Sequence, residues 1–231
     1  MIRLALLVLF LAGCGGGGDP LEDLVEDLNR HPEYSVIVED LREEEGFFPD
    51  YFVRFRVLAA SGAGGDSLRW EERLSEEYQV GEEVYGRYEN YLGMVVAAKN
   101  PDGRRSGPGQ AHPPGYQYVD NPRYGFWDGG GFWQFYGQYM LLSQLLGGWQ
   151  INRSDYGDYR RNYERGQPYA GPNAGGRTPF GTGGTTVERS RPEFFKRYQE
   201  RLGSPQFRER VQSRMGRGGS SWGSGSVRAG K

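Results

Sequence analysis

The 231-residue chain has one cysteine, Cys14, and two histidines, His31 and His112. One thiol cannot build a disulfide framework, a four-cysteine zinc site or a cysteine redox pair. Two histidines leave no basis for a multi-histidine metal centre, so no metal and no cofactor are expected. Lysine is also scarce: of 28 basic residues only Lys99, Lys196 and Lys231 are lysine. Such an arginine bias suits recognition of phosphate or carboxylate by a planar fork, and it also suits a GC-rich coding sequence. No apolar run approaches the roughly 20 residues of a membrane-spanning helix. Glycine and aromatics, by contrast, are plentiful, with 38 Gly, 12 Phe, 16 Tyr and 5 Trp.

The N-terminus specifies an address. A short basic start, Met1-Ile2-Arg3, precedes an apolar run at residues 4–11 that has the length of a secretory h-region. The run ends in Leu11-Ala12-Gly13-Cys14. This stretch resembles a bacterial lipoprotein signal: an apolar residue, two small residues, then cysteine. The resemblance covers only the signal and anchor. It implies diacylglycerol transfer to the Cys14 sulfur, cleavage after Gly13, and acylation of the new amino terminus. Two or more acyl chains anchor stably where one does not, at about 0.8 kcal/mol per buried CH₂. Residues 15–18, all glycine, then read as a flexible tether. With Gly15 rather than Asp after Cys14, the family pattern favours the periplasmic face of the outer membrane in a cell with two membranes.

Charge divides the mature chain. Residues 19–100 carry a net −12 and residues 101–231 a net +9, although the whole chain is only −2. The split is compatible with a basic interaction tail, with internal docking, or with two ordinary solvated faces.

Periodicity outlines the elements. Asp19-Pro20 opens a helix whose apolar face is Leu21, Leu24, Val25 and Leu28, and His31-Pro32 stops it. Residues 34–39 and 51–58 read as strands, the second half-buried through Val53, Phe55 and Val57. Residues 68–78 suit a third strand, 78–91 a partial helix, and 92–98 a short buried strand or helix. The turn Asn100-Pro101-Asp102-Gly103 follows. Regular βαβ alternation is missing, so the expected class is α+β: a small antiparallel sheet with a few helices over residues 19–150. Residues 151–231 read as a basic, Gly/Pro-rich extension with short helices near 192–215, and the Gly/Pro content of residues 166–231 reads as largely disordered.

Residues 116–149 hold 11 aromatics in 34 positions. Residues 132–146 have near-helical apolar spacing, and a Gly-rich loop precedes them. Core packing, an exposed platform and contact with the membrane headgroups all fit these residues. Tyr116, Tyr118, Tyr124, Trp127 and Trp133 are the candidate ligand-binding aromatics for a glycan or peptide.

Catalysis is hard to assemble. Any Ser–His–acid site would need His31 or His112, each followed by proline. Among the acids, Asp120, Asp128, Asp155 and Asp158 lie near aromatics in the basic half and are the first to test as a hydrolytic pair. Residues 225–231 spell most of a phosphate-binding loop but lack its Ser/Thr and its strand–helix setting. No catalytic residue is assigned. The sequence therefore points to a non-enzymatic envelope lipoprotein, held to the membrane through Cys14. Its basic C-terminal region would contact an anionic partner: anionic lipid, lipopolysaccharide or peptidoglycan, and not nucleic acid. The alternative is a glycan-binding or carbohydrate-active lipoprotein using residues 116–149. Cys14→Ala is expected to abolish fatty-acid labelling and release the chain from the membrane fraction. Undiminished labelling and membrane association would contradict the anchor.

Overall fold

The structure, a computed structural model, describes residues 18–203 apart from 45, 47–48 and 63–67. Cys14, the glycine tether up to Gly17, the part of the expected 192–215 helical region after Gly203 and the C-terminal tail lie outside the described residues. The architecture is α+β. Helix α1 (Pro20–Leu28) leads into strands β1 (Tyr34–Glu44), β2 (Asp50–Ser61) and β3 (Arg69–Val80). Helix α2 (Glu82–Tyr88), β4 (Val95–Lys99) and the two-residue β5 (Arg105–Ser106) follow. These strands form one antiparallel sheet in the order β3-β2-β1-β4-β5.

Alternation assigns the two faces of the sheet. On one face Tyr34, Val36, Val38, Val53, Phe55 and Val57 are buried, and Phe55 meets Tyr88 of α2 edge-to-face at 5.4 Å. Helix α1 starts where its sequence dictates. Asp19 accepts the Leu21 amide at 3.0 Å and also the Tyr88 hydroxyl at 2.6 Å, which ties the N-cap of α1 to the end of α2. At the other end Lys99 donates to the Asn29 and His31 carbonyls at 3.2 and 2.9 Å, placing a cation on a helix C-terminus.

The opposite face is covered along only half its length. Leu58 and Ala60 are buried, whereas Phe52, Arg54 and Arg56 are half-exposed. Arg56 pairs with Glu39 at 2.7 Å and with Glu72, and Arg42 pairs with Glu77 at 2.6 Å. The edge strand β3 carries Glu71, Glu72, Arg73, Glu76 and Glu77, a density of charge that discourages edge-to-edge pairing.

The remaining elements build the second layer. They are the hairpin β6 (Gly125–Trp127) and β7 (Trp133–Phe135), α3 (Met140–Gln144), α4 (Arg153–Glu164) and α5 (Thr185–Ser190). The single helix expected over 132–146 is replaced by a strand, a 3-10 turn and the short α3. Pairing decides this, because Trp133–Phe135 finds a partner strand in Gly125–Trp127. Asp128 also organises the connecting loop, accepting the Gly130 and Phe132 amides at 2.9 Å each.

The first compact unit runs to Val187. Gly-rich composition suggested disorder after 166, yet Tyr169, Phe180 and Thr182 are buried. The aromatic side chains supply enough apolar area to order a segment that glycine alone would leave loose. The second unit begins at Glu188. Its described helix, α6 (Pro192–Gly203), starts at proline as expected and stacks Phe194 on Tyr198 with centroids 6.5 Å apart. Among the described residues no helix is long and apolar enough to cross a membrane.

Gly125 is required by close approach, since a β-carbon there would overlap the Gln134 carbonyl across the hairpin. Gly125→Ala is expected to lower unfolding free energy by about 1–3 kcal/mol, read by urea denaturation. A change under a few tenths would show that the hairpin relaxes freely.

Candidate functional site

Helix α4 organises the site. Asn152 is its N-cap, accepting the Asp155 amide at 2.9 Å. Asp155 turns inward and is only 2% exposed. Its carboxylate accepts the Tyr116 hydroxyl at 2.6 Å, the Trp149 indole N–H at 3.0 Å and the Tyr169 hydroxyl. Four chain segments therefore converge on one side chain. Such a buried carboxylate is stable only because every neighbour aimed at it donates.

From this fixed start, α4 presents Tyr156, Tyr159 and Tyr163 along one face, at i, i+3 and i+7. The rings follow one another with centroids 6.0 and 5.8 Å apart. They line a cleft of about 340 Å³ whose other wall is the turn around Asn100, Asp102 and Arg104 together with the segment from Gln117 to Asn121. Tyr159 is buried in its floor against Tyr116, 5.4 Å away, while Tyr156 and Tyr163 are half-exposed. Burial raises the Tyr156 and Tyr159 hydroxyls above their ordinary value, so both stay protonated at neutral pH. The Asn100 amide nitrogen donates to the Tyr163 hydroxyl at 3.0 Å. Its carbonyl oxygen, Oδ1, is buried without a hydrogen-bond partner, and the residue is 6% exposed.

Charge is fixed at both ends of the row of rings. Near Tyr156, Asp120 accepts the Trp127 indole N–H at 2.8 Å, and Trp127 lies 6.0 Å from the Tyr156 ring. Asp120 is a non-glycine residue with φ of 64°, a left-handed conformation that aspartate tolerates better than most. Arg153 caps the outer face of Trp127 at 4.6 Å. At the Tyr163 end, Asp102 accepts the Arg104 amide at 3.0 Å and its Nε at 2.6 Å. Burial by itself would raise Asp102, but these bonds outweigh it and hold the carboxyl below its ordinary value.

Tyr116, Tyr118 and Tyr124, expected as parts of an open platform, are wholly buried. Tyr118 packs edge-to-face on Trp70 at 5.4 Å, and Tyr124 donates to Glu33 at 2.6 Å. A ring enclosed on both faces cannot stack on a ligand, and of the three only Tyr116 reaches the cleft, at its floor. Trp133 is likewise buried, edge-to-face with the half-buried Trp127 at 5.2 Å. Cys14 lies outside the described residues.

The four candidate acids separate. Asp155 and Asp128 are structural hydrogen-bond acceptors, Asp120 lines the cleft, and Asp158 forms an exposed ion pair with Arg161. His31 lies 3.0 Å from the Ala60 carbonyl through Nδ1. His112 is buried between the Gln110 carbonyl at 3.1 Å and the Gln117 side chain at 2.9 Å. Burial pushes its pKa down, towards the neutral ring. Among the described residues no group of three or more His, Cys, Asp or Glu is placed to hold a metal ion.

Sequence reading missed Tyr156, Tyr159, Tyr163, Asn100 and Arg104. The tyrosine spacing was a readable signal, since one helical face with three tyrosines beside an N-capping Asn152 marks an ordered helix. The role of Asn100 depends on a contact 63 residues away and has no local signature.

Asp155→Ala would leave the Tyr116 and Tyr169 hydroxyls without their acceptor in the interior, while the Trp149 indole N–H keeps the Tyr116 hydroxyl at 3.1 Å. It is expected to cost about 3 kcal/mol or more, while Asp158→Ala at the surface should stay within about 0.5 kcal/mol. Equal effects in chemical denaturation would contradict the assignment of Asp155 as the junction.

Comparison of the chain with protein-family profiles, with curated proteins and with solved structures finds no match.

Proposed function

We propose that this chain is a lipid-anchored, non-enzymatic protein of the cell envelope that binds saccharide in the cleft beside α4. One observation carries the reading: aromatic rings in a row are faced by planar polar side chains across a groove of ligand size. A pyranose offers a ring face of C–H groups and a rim of hydroxyls. Tyr156 and Tyr163 supply apolar ring surface for the first. Asn100, Asp120 and Asn121 supply donors and acceptors for the second. The expected address supports this ligand class, because peptidoglycan and lipopolysaccharide occupy the same compartment.

The acids of the cleft suit binding better than hydrolysis. Glycoside hydrolysis needs a carboxyl held protonated opposite an ionised one. Here Asp102 is held low by Arg104, Glu164 pairs with Arg160 at 3.3 Å, and Asp120 is engaged by an indole. The basic C-terminal region, expected to contact an anionic partner, extends beyond the described residues and adds no observation to either reading.

The test is titration of the mature chain with a neutral N-acetylglucosamine tetrasaccharide, followed by calorimetry and by tryptophan emission, since Trp127 adjoins Tyr156. Tyr156→Ala is expected to weaken binding about fivefold to tenfold with little change in stability. Absence of binding, or wild-type affinity in Tyr156→Ala, would contradict this site.

A further inference from the structure

The cleft does not end at Tyr163. A second cavity of about 390 Å³ opens on the other side of that residue, lined by Arg104, Arg105, Gln110, Tyr163 and Glu164. Arg104, Tyr163 and Glu164 belong to both cavities. A ligand lying along the tyrosine row would therefore run from the first cavity into the second across the Tyr163 ring.

The two ends differ in charge. Two ion pairs lie between them, Arg104 with Asp102 at 2.6 Å and Arg160 with Glu164 at 3.3 Å, and each cancels itself. What remains is Asp120, with Arg153 over the adjacent Trp127, at the Tyr156 end, and Arg105 at the Tyr163 end. Among the described residues Arg105 forms no ion pair, and it is exposed on the edge strand β5. Arg104 is prepositioned: Asp102 engages its backbone amide and Nε, and its guanidinium carbon lies 5.8 Å from the Tyr163 ring centroid. That ion pair leaves the two terminal nitrogens, Nη1 and Nη2, available to a further acceptor.

We infer that the ligand is an acidic saccharide, whose carboxylate sits between Arg104 and Arg105 while its neutral rings lie along Tyr156, Tyr159 and Tyr163. This inference rests on the saccharide reading of the cleft and adds the ligand's charge and its direction. The carboxylate binds at the Tyr163 end because Arg105 and the terminal nitrogens of Arg104 lie there, whereas Arg153 and Asp120 offset one another at the other end.

The experiment compares two probes on the mature chain: tetragalacturonate and the neutral N-acetylglucosamine tetrasaccharide. The acidic probe is expected to bind about tenfold tighter at low salt, with the preference shrinking as salt is raised. In Arg105→Gln, which lies outside the first cavity, the preference should fall at least threefold while affinity for the neutral probe is kept. Equal affinity of the wild type for both probes, or a preference undiminished in Arg105→Gln, overturns the acidic assignment but leaves the saccharide site standing. Binding of neither probe, or binding of both unchanged by Tyr156→Ala, overturns the site and the inference together. Circular dichroism of each variant keeps loss of fold distinct from loss of a contact.

Discussion

The Asp155 carboxylate is the junction of the second layer. It is buried beside the start of α4 and accepts from Tyr116, Trp149 and Tyr169. Without those donors a charge in that position would cost several kcal/mol. With them, it joins the segment before the β6–β7 hairpin, the loop after α3 and the Gly-rich segment after α4. The orientation of α4 follows from this junction, and so does the direction in which Tyr156, Tyr159 and Tyr163 face. A structural acid thus sets how the rings of the cleft face without lining the cleft itself.

Aromatic side chains serve this protein in two ways, separated by what happens to their polar tips. Tyr88, Tyr116 and Tyr124 donate to carboxylates inside the protein and close the core. Tyr156 and Tyr163 keep part of their rings in solvent, where a ligand can reach them. Buried tyrosines are expensive unless each hydroxyl is satisfied, and Asp19, Glu33 and Asp155 meet that need. The acidic bias of the N-terminal half is therefore only partly a solvated surface, because Asp19 and Glu33 act as internal acceptors for aromatic residues.

Local signals carried the first half of the fold. Asp19-Pro20 and the spacing of Leu21, Leu24 and Leu28 specify α1 without tertiary help, and alternation through Val53, Phe55 and Val57 specifies β2. The strand over residues 92–98 needed only a choice between strand and helix, and pairing of Val95–Lys99 with β1 makes that choice. The second half was less legible, because its elements depend on distant partners. Trp133–Phe135 has helical spacing in sequence but pairs as a strand with Gly125–Trp127. Tyr169 and Phe180 lie in a glycine-rich stretch, yet they are ordered by contacts with Tyr116 on another segment. The candidate site combines both cases: the tyrosine row on α4 is written in residue spacing, whereas its opposite wall at Asn100 and Arg104 comes only from the fold.

The most direct measurement on the cleft beside α4 is amide chemical-shift mapping of the isotopically labelled mature chain during titration with a saccharide. Progressive, saturable shifts at Tyr156, Tyr159, Tyr163 and the Asn100–Arg104 turn are the predicted result. Shifts that leave these residues unmoved, or that are confined to α6, would contradict it.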